Sequence, residues 1–308
     1  MVTVRLQQAQ REYFMLRNGN QPQKGRRQAL RTFATTMGAL LWPAAGWTTV
    51  AKPVRIGLSP AFLHDQHGLL EEWRRYLEKK LGRTVTFIRR DSYRETIELF
   101  HLKKLDFAWI CDYPYLHLKK QVRLLAVPTY KGRPYYRSYL LVPSSNQHVT
   151  SIKQLKNTVF AYADPYSNTG YLVPRYALLQ LGENPATFFR KTFFTHSHRK
   201  LVEAVAIKLA EGGAVDSFVW DTLAIVEPEL TAKTRIVEKS PEYGFPPFVA
   251  DSAVSDADFT IFQNILLGMA ADPEGAEFLR RLNLDGFIPG TEKLYDGVKK
   301  MMTAFGED

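Results

Sequence analysis

At 308 residues, 45% hydrophobic and 23% charged, the chain is long enough for two packed lobes and has the composition of a soluble globular protein. Its formal net charge of +10 is concentrated at the start: residues 1–51 hold seven Lys and Arg against the single acid Glu12, which leaves 34 of the 41 basic and 30 of the 31 acidic side chains in the rest, a net of +4. That remainder does not demand nucleic acid or a membrane surface and suits a small anionic ligand, and a lone cysteine, Cys111, excludes an intramolecular disulfide.

In chain order, residues 1–51 are expected to form an export leader. Arg26-Arg27 resembles the paired arginine of the twin-arginine export motif, residues 34–46 are a short apolar run interrupted by Pro43, and Thr49-Val50-Ala51 offers the small residues a signal peptidase prefers. Cleavage near Ala51 is expected, with an uncleaved anchor as the alternative. Residues 53–58 read as a first strand. The next segment is a helix with Leu69, Leu70, Trp73, Leu77 and Leu81 on one face, closed by Gly82. A strand at 84–88, a helix at 93–104 and a buried strand at 105–111 follow, then strands at 122–127 and 139–142. This βαβαβ order predicts a mainly parallel sheet with crossover helices, a design that binds ligands beyond the carboxyl ends of its strands.

A second lobe is expected from about Pro143, with a short helix at 151–155 and a strand at 158–162. A helix at 199–211 is expected to end at Gly212-Gly213, with strands at 214–220 and 234–237 after it. The C-terminal part reads as helices at 259–270, 275–282 and 291–304. Between the strand at 158–162 and a helix at 171–181 stands Ser167-Asn168-Thr169-Gly170. One Ser or Thr there is an ordinary N-cap. Three polar residues in a row before a glycine supply more than a cap needs, at a helix end whose dipole attracts anions.

Residues 164–174 carry Asp-Pro-x-Ser-x-Thr-Gly-Tyr-Leu-x-Pro, which resembles the signature of the PhnD-type periplasmic phosphate, phosphite and phosphonate-binding proteins. Further matches run in order: Asp91-Ser92-Tyr93, Asp106-Phe107-Ala108-Trp109, His198 ahead of Val215-Asp216, and Ser240-Pro241. The resemblance covers about residues 54–282. It implies an α/β, type II periplasmic-binding fold with two lobes, each a mainly parallel sheet flanked by helices. Lobe 1 would be 52–142 plus 247–308 and lobe 2 would be 143–246. It also implies that Ser167, Asn168 and Thr169 occupy the place of the family's phosphoryl-binding Ser-Thr-Ser, with Tyr93 and His198 as further oxyanion contacts. Histidine can switch charge near neutral pH. Asp221 stands close to one of the family's acidic positions, whereas the other falls on Pro246, so an aminophosphonate is not the expected ligand.

The function implied is capture of a small oxyanion in an inter-lobe cleft for the membrane permease of an ABC transporter, by a monomer that needs no cofactor. Two departures open an alternative: Ile110 replaces a family tyrosine and Cys111 a glycine. A thiolate suits soft species, and the similar AioX-type branch binds arsenite and signals to a membrane histidine kinase. Cys111 is thus a candidate arsenite ligand; no other metal site is expected. Cys111, His198 and Asp221 as nucleophile, base and orienter would make an enzyme, but no local signature supports one.

Overall fold

The computed structural model describes residues 52–58 and 67–307, so the expected leader lies outside the described residues. The chain opens with β1 (Val54–Leu58), α1 (His67–Leu81), β2 (Val85–Arg89), α2 (Tyr93–His101), β3 (Phe107–Trp109), α3 (Asp112–Leu118) and β4 (Val122–Thr129). The middle holds β5 (Tyr135–Tyr136), β6 (Ser138–Pro143), a short 3-10 turn (Ile152–Leu155), β7 (Val159–Tyr162) and a π-turn (Asn168–Leu172) that runs into α4 (Val173–Gln180). Next come β8 (Lys191–Phe194), α5 (His198–Ala206), β9 (Gly212–Asp216), α6 (Ser217–Val226), α7 (Pro228–Thr231) and β10 (Thr234–Lys239). The chain finishes with β11 (Tyr243–Gly244), β12 (Phe248–Asp251), α8 (Asp256–Gly268), α9 (Pro273–Arg281), β13 (Gly286–Ile288) and α10 (Asp296–Ala304).

The strands form two large sheets, in the orders β13-β4-β12-β3-β1-β2 and β10-β6-β9-β7-β8. The third pairing is a ribbon in which β11 meets β5 antiparallel, Tyr243 opposite Tyr136 and Gly244 opposite Tyr135. This ribbon is made of the two segments that carry the chain from the first sheet to the second and back. A buried aromatic group anchors the first sheet. Trp73 of α1 is fully buried, with ring centroids 5.2 Å from Phe87 and Phe278, 5.7 Å from Phe248 and 6.3 Å from Trp109. Its helix stops at Gly82, whose φ of +63° few other residues tolerate.

Both sheets are mixed rather than mainly parallel. β1 runs parallel to β2 and β3, and β7 parallel to β8 and β9. The strands next to the ribbon, β6, β10 and β12, pair antiparallel. Helical crossovers keep strands parallel within one sheet, whereas a strand arriving from the other sheet enters from the opposite end. For the same reason the strand at 139–142 pairs in the second sheet, not in the first.

Two more expectations change. The buried strand ends at Trp109, and Cys111 becomes the N-cap position of α3. Gly212-Gly213 does not stop a helix: α5 already ends at Ala206, and both glycines lie in β9. The reason is space. A Cβ on Gly212 would sit 2.5 Å from Leu155 Cδ1, and one on Gly213 would sit 2.9 Å from Leu201 Cδ2 and 3.2 Å from the Ala161 carbonyl oxygen. Gly213→Val is therefore expected to lower stability by about 1–3 kcal/mol through overpacking. Urea unfolding with an unchanged midpoint would show that β9 has room to spare.

Candidate functional site

Five helical starts converge where parallel strands end. Tyr93 follows β2 and opens α2, Cys111 and Asp112 follow β3, Ser167 to Thr169 follow β7, His198 follows β8, and Asp216 closes β9. In α2 the start is fixed locally by a capping box. The Ser92 hydroxyl accepts from the Glu95 N–H at 3.3 Å, and the Glu95 carboxylate accepts from the Ser92 N–H at 3.2 Å.

The turn before the π-turn is held by Asp164, which is nearly fully buried. Its Oδ1 accepts from the Tyr166 N–H at 2.8 Å. Its Oδ2 accepts from the Tyr93 N–H at 3.4 Å and lies 3.3 Å from His196 Nδ1. The Ser167 N–H donates to the Asp164 carbonyl at 2.9 Å. Ser138 Oγ donates to the Thr169 carbonyl at 2.6 Å. Gly170 is needed for closeness: a Cβ there would be 2.4 Å from Ala163 Cβ, 3.0 Å from Ser167 Oγ and 3.1 Å from His198 Cε1.

Ser167, Asn168 and Thr169 are all fully buried, and their polar atoms are not all used. The Asp216 N–H donates to His198 Nδ1 at 3.1 Å, which puts the imidazole hydrogen on Nε2, 3.3 Å from Ser167 Oγ. The Gly170 N–H also donates to Ser167 Oγ, at 3.0 Å. With its oxygen accepting twice, Ser167 keeps its own hydrogen to donate. Asn168 Nδ2 donates to Asp112 Oδ2 at 2.8 Å and lies 3.3 Å from Tyr136 Oη. Asn168 Oδ1 and Thr169 Oγ1 are buried without a partner. Orphaned groups of this kind are rare in folded proteins, and two adjacent ones at a helix start call for an explanation.

The structure thus brings Tyr93, Cys111, Ser167, Asn168, Thr169 and His198 into one neighbourhood, and it changes two expectations: the charge switch at His198 and the surroundings of Asp221. Both ring nitrogens of His198 are engaged in this structure, Nδ1 by the Asp216 N–H and Nε2 with Ser167 Oγ. Burial pushes its pKa down to about 3, which keeps it neutral and removes the expected charge switch near pH 7. Asp221 shares none of these hydrogen bonds. Its carboxylate accepts from Tyr130 Oη, from Lys131 Nζ at 2.6 Å and from Tyr139 Oη at 3.4 Å.

Cys111 is buried, and its thiol donates to Asp112 Oδ1 at 3.1 Å. Burial, with the Asp112 charge beside it, pushes the thiol pKa well up, and the Asn168 N–H only partly offsets this. The sulfur is held protonated, the opposite of a soft thiolate ligand.

Sequence reasoning missed Asp112, Tyr136 and the carboxyl of Asp216. Asp112 is fully buried; besides Cys111 and Asn168 it accepts from the Tyr113 N–H at 3.0 Å and from Tyr136 Oη at 2.8 Å. Burial raises its pKa to about 6, less than it would without these donors. A Pro in the first turn of α3, Pro114, was the available signal for a helix start after Cys111. Asp216 caps α6 through Oδ1, which accepts from the N–H groups of Phe218 at 2.7 Å and Val219 at 3.3 Å. Burial nevertheless pushes its pKa up to about 8.

The family profile described as "ABC transporter, phosphonate, periplasmic substrate-binding protein" matches residues 56–295. The phosphonates-binding periplasmic protein of Escherichia coli is 27% identical over 229 residues, covering 71% of this chain and 67% of its own length. A Prochlorococcus marinus protein described as a probable ABC transporter phosphite binding protein is 24% identical over 237 residues, with 73% and 80% covered. A solved structure of a Prochlorococcus marinus binding protein in complex with methylphosphonate superposes with a TM-score of 0.74 at 20% identity, covering 83% of this chain and 99% of that one. That likeness carries the two-lobed fold.

A folded-state pKa near 8 against 3.8 means that Asp216 binds a proton in the folded protein that the unfolded chain has lost. Its contribution to stability is present below about pH 4 and is lost as pH rises through 8. Asp216→Asn, a mimic of the protonated acid, is expected to remove that loss. The unfolding free energy of wild type relative to the variant should then fall from pH 5 to pH 8, by at most about 1.4 kcal/mol per pH unit. A difference that stays flat over this range would contradict the assignment.

Proposed function

The chain belongs to the family of phosphonate-type periplasmic substrate-binding proteins of ABC transporters, and from this premise we propose that it captures a small phosphorus oxyanion of the phosphite, phosphate and phosphonate class. The family is one of binding proteins rather than enzymes, with a periplasmic setting and a membrane permease as partner. The observation that supports the ligand class is the buried Ser167-Asn168-Thr169 turn, with an unpaired hydroxyl on Thr169 and an undonated hydrogen on Ser167. Hydroxyl donors in a water-poor pocket suit phosphoryl oxygens. The Escherichia coli and Prochlorococcus marinus relatives, named for phosphonates and phosphite, support the same class.

In this reading the lobes meet at the ribbon. Lobe 1 comprises residues 52–129 and 248–307, lobe 2 residues 138–239, and the crossing segments 130–137 and 240–247 act as the hinge. The ligand docks on Ser167 to Thr169 of lobe 2, and contacts from α2 and α3 of lobe 1 complete its enclosure. Tighter binding to the closed form than to the open one shifts the population toward closure, the state a permease reads. Residues 1–51 serve as the export leader, cleaved near Ala51, and the mature protein works as a monomer.

Isothermal titration with phosphite, phosphate and methylphosphonate tests this reading. At least one should bind, and Ser167→Ala should weaken it by about tenfold to a hundredfold, the value of one good hydrogen bond to a charged group. Cys111→Ser should bind as wild type does. No binding by any of the three, or a Ser167→Ala protein that binds normally, would overturn the proposal. Thermal stabilisation by arsenite that disappears in Cys111→Ser would favour a sensor instead.

A further inference from the structure

We propose that Asn168 makes this cradle selective for an oxyanion that still carries a proton on one of its oxygens. The inference rests on the oxyanion-binding reading above. Between two hydroxyl residues the chain places a carboxamide, where the resemblance puts a second hydroxyl. A hydroxyl rotates to donate or accept, but a carboxamide presents one end or the other.

The direction of this amide is fixed by its neighbours. Nδ2 lies 2.8 Å from Asp112 Oδ2, a carboxylate oxygen that only accepts. It also lies 3.3 Å from Tyr136 Oη, whose hydrogen is already given to Asp112 Oδ1 at 2.8 Å. Both neighbours require the N–H end. Turning the amide over would set its carbonyl against a carboxylate and a phenol with no hydrogen to offer. Oδ1 is thus held on the side away from Asp112, fully buried and unpaired.

An oxyanion whose oxygens are all bare would set negative charge against that carbonyl. An oxyanion with one O–H supplies the donor the carbonyl lacks, while Ser167 and Thr169 donate to its other oxygens. The surrounding titratable groups add to the preference. Asp112 and Cys111 approach from β3 and α3, Tyr136 from the ribbon, Tyr93 from α2, and His198 and Asp216 from the second sheet. None of the six brings a positive charge at neutral pH, so these side chains give no support to a second negative charge on the ligand.

Methanesulfonate separates the proton from charge and shape. Like the monoanion of methylphosphonate it is a methyl-bearing tetrahedral anion of charge −1, but all its oxygens are bare. Isothermal titration of the full mature chain at pH 7, above the pKa of about 6 for Asp112, should show methylphosphonate binding about tenfold to a hundredfold tighter than methanesulfonate, the effect of one buried acceptor left unpaired. Asn168→Thr, which offers a rotatable hydroxyl, should bring the two affinities toward each other. Asp112→Asn should do the same by letting the Asn168 amide turn over, and it serves if the first variant does not fold. Equal affinity in wild type would overturn the selectivity, and a preference unchanged in both variants would overturn its assignment to Asn168. If wild type bound neither methylphosphonate nor phosphite, the oxyanion reading itself would fail and this inference with it.

Discussion

One buried carboxylate governs the arrangement of this site. Asp112 accepts hydrogen bonds from the Cys111 thiol, the Tyr113 amide, the Tyr136 phenol and the Asn168 carboxamide. These donors come from the end of the first sheet, from the ribbon between the sheets, and from the turn that follows β7 of the second sheet. A carboxylate taken out of water is tolerated only when such donors surround it. Moving any one of these elements would strip it of a donor. The fixed direction of Asn168 follows from this one group, and its charge adds to the burial that keeps the Cys111 thiol protonated.

Around it, aromatic rings also meet across the two halves. Tyr166 of the second half lies 6.2 Å from the Tyr113 ring and 5.4 Å from the His117 ring of α3. The Arg175 guanidinium sits 4.5 Å from the Tyr171 ring and 4.2 Å from Phe305, which follows α10. Such contacts are individually modest. In the proposed capture cycle they suit halves that part and meet again, because a ligand can then tip the balance with a small difference in affinity. The neutral imidazole of His198 keeps its place through both ring nitrogens, so positioning of Ser167 does not depend on charge near neutral pH.

Much of this was legible in the sequence, for identifiable reasons. Helices with a strong apolar stripe, such as the one bearing Trp73 and Leu77, announce themselves by spacing, and Gly82 marks its end through a backbone angle that glycine favours. Ser167 to Thr169 were visible because polar residues cluster between a strand and a helix. What was illegible depends on partners far along the chain. Asp112 opens a seven-residue helix too short to show periodicity, and its role is set by Tyr136 and Asn168, 24 and 56 residues away. Gly212 and Gly213 resemble a helix stop, and only the packing of Leu155 and Leu201 against β9 explains them. The antiparallel entry of β6 and β12 follows from two chain crossings, which local pattern does not encode.

The central claim is that the turn after β7 grips the ligand between the two halves. A crystal structure grown with methylphosphonate tests it most directly. The account predicts phosphonate oxygens within hydrogen-bonding distance of Ser167 Oγ and Thr169 Oγ1, with the bond from Asn168 to Asp112 intact. A phosphonate seated elsewhere, with Thr169 Oγ1 still unpaired, would contradict it.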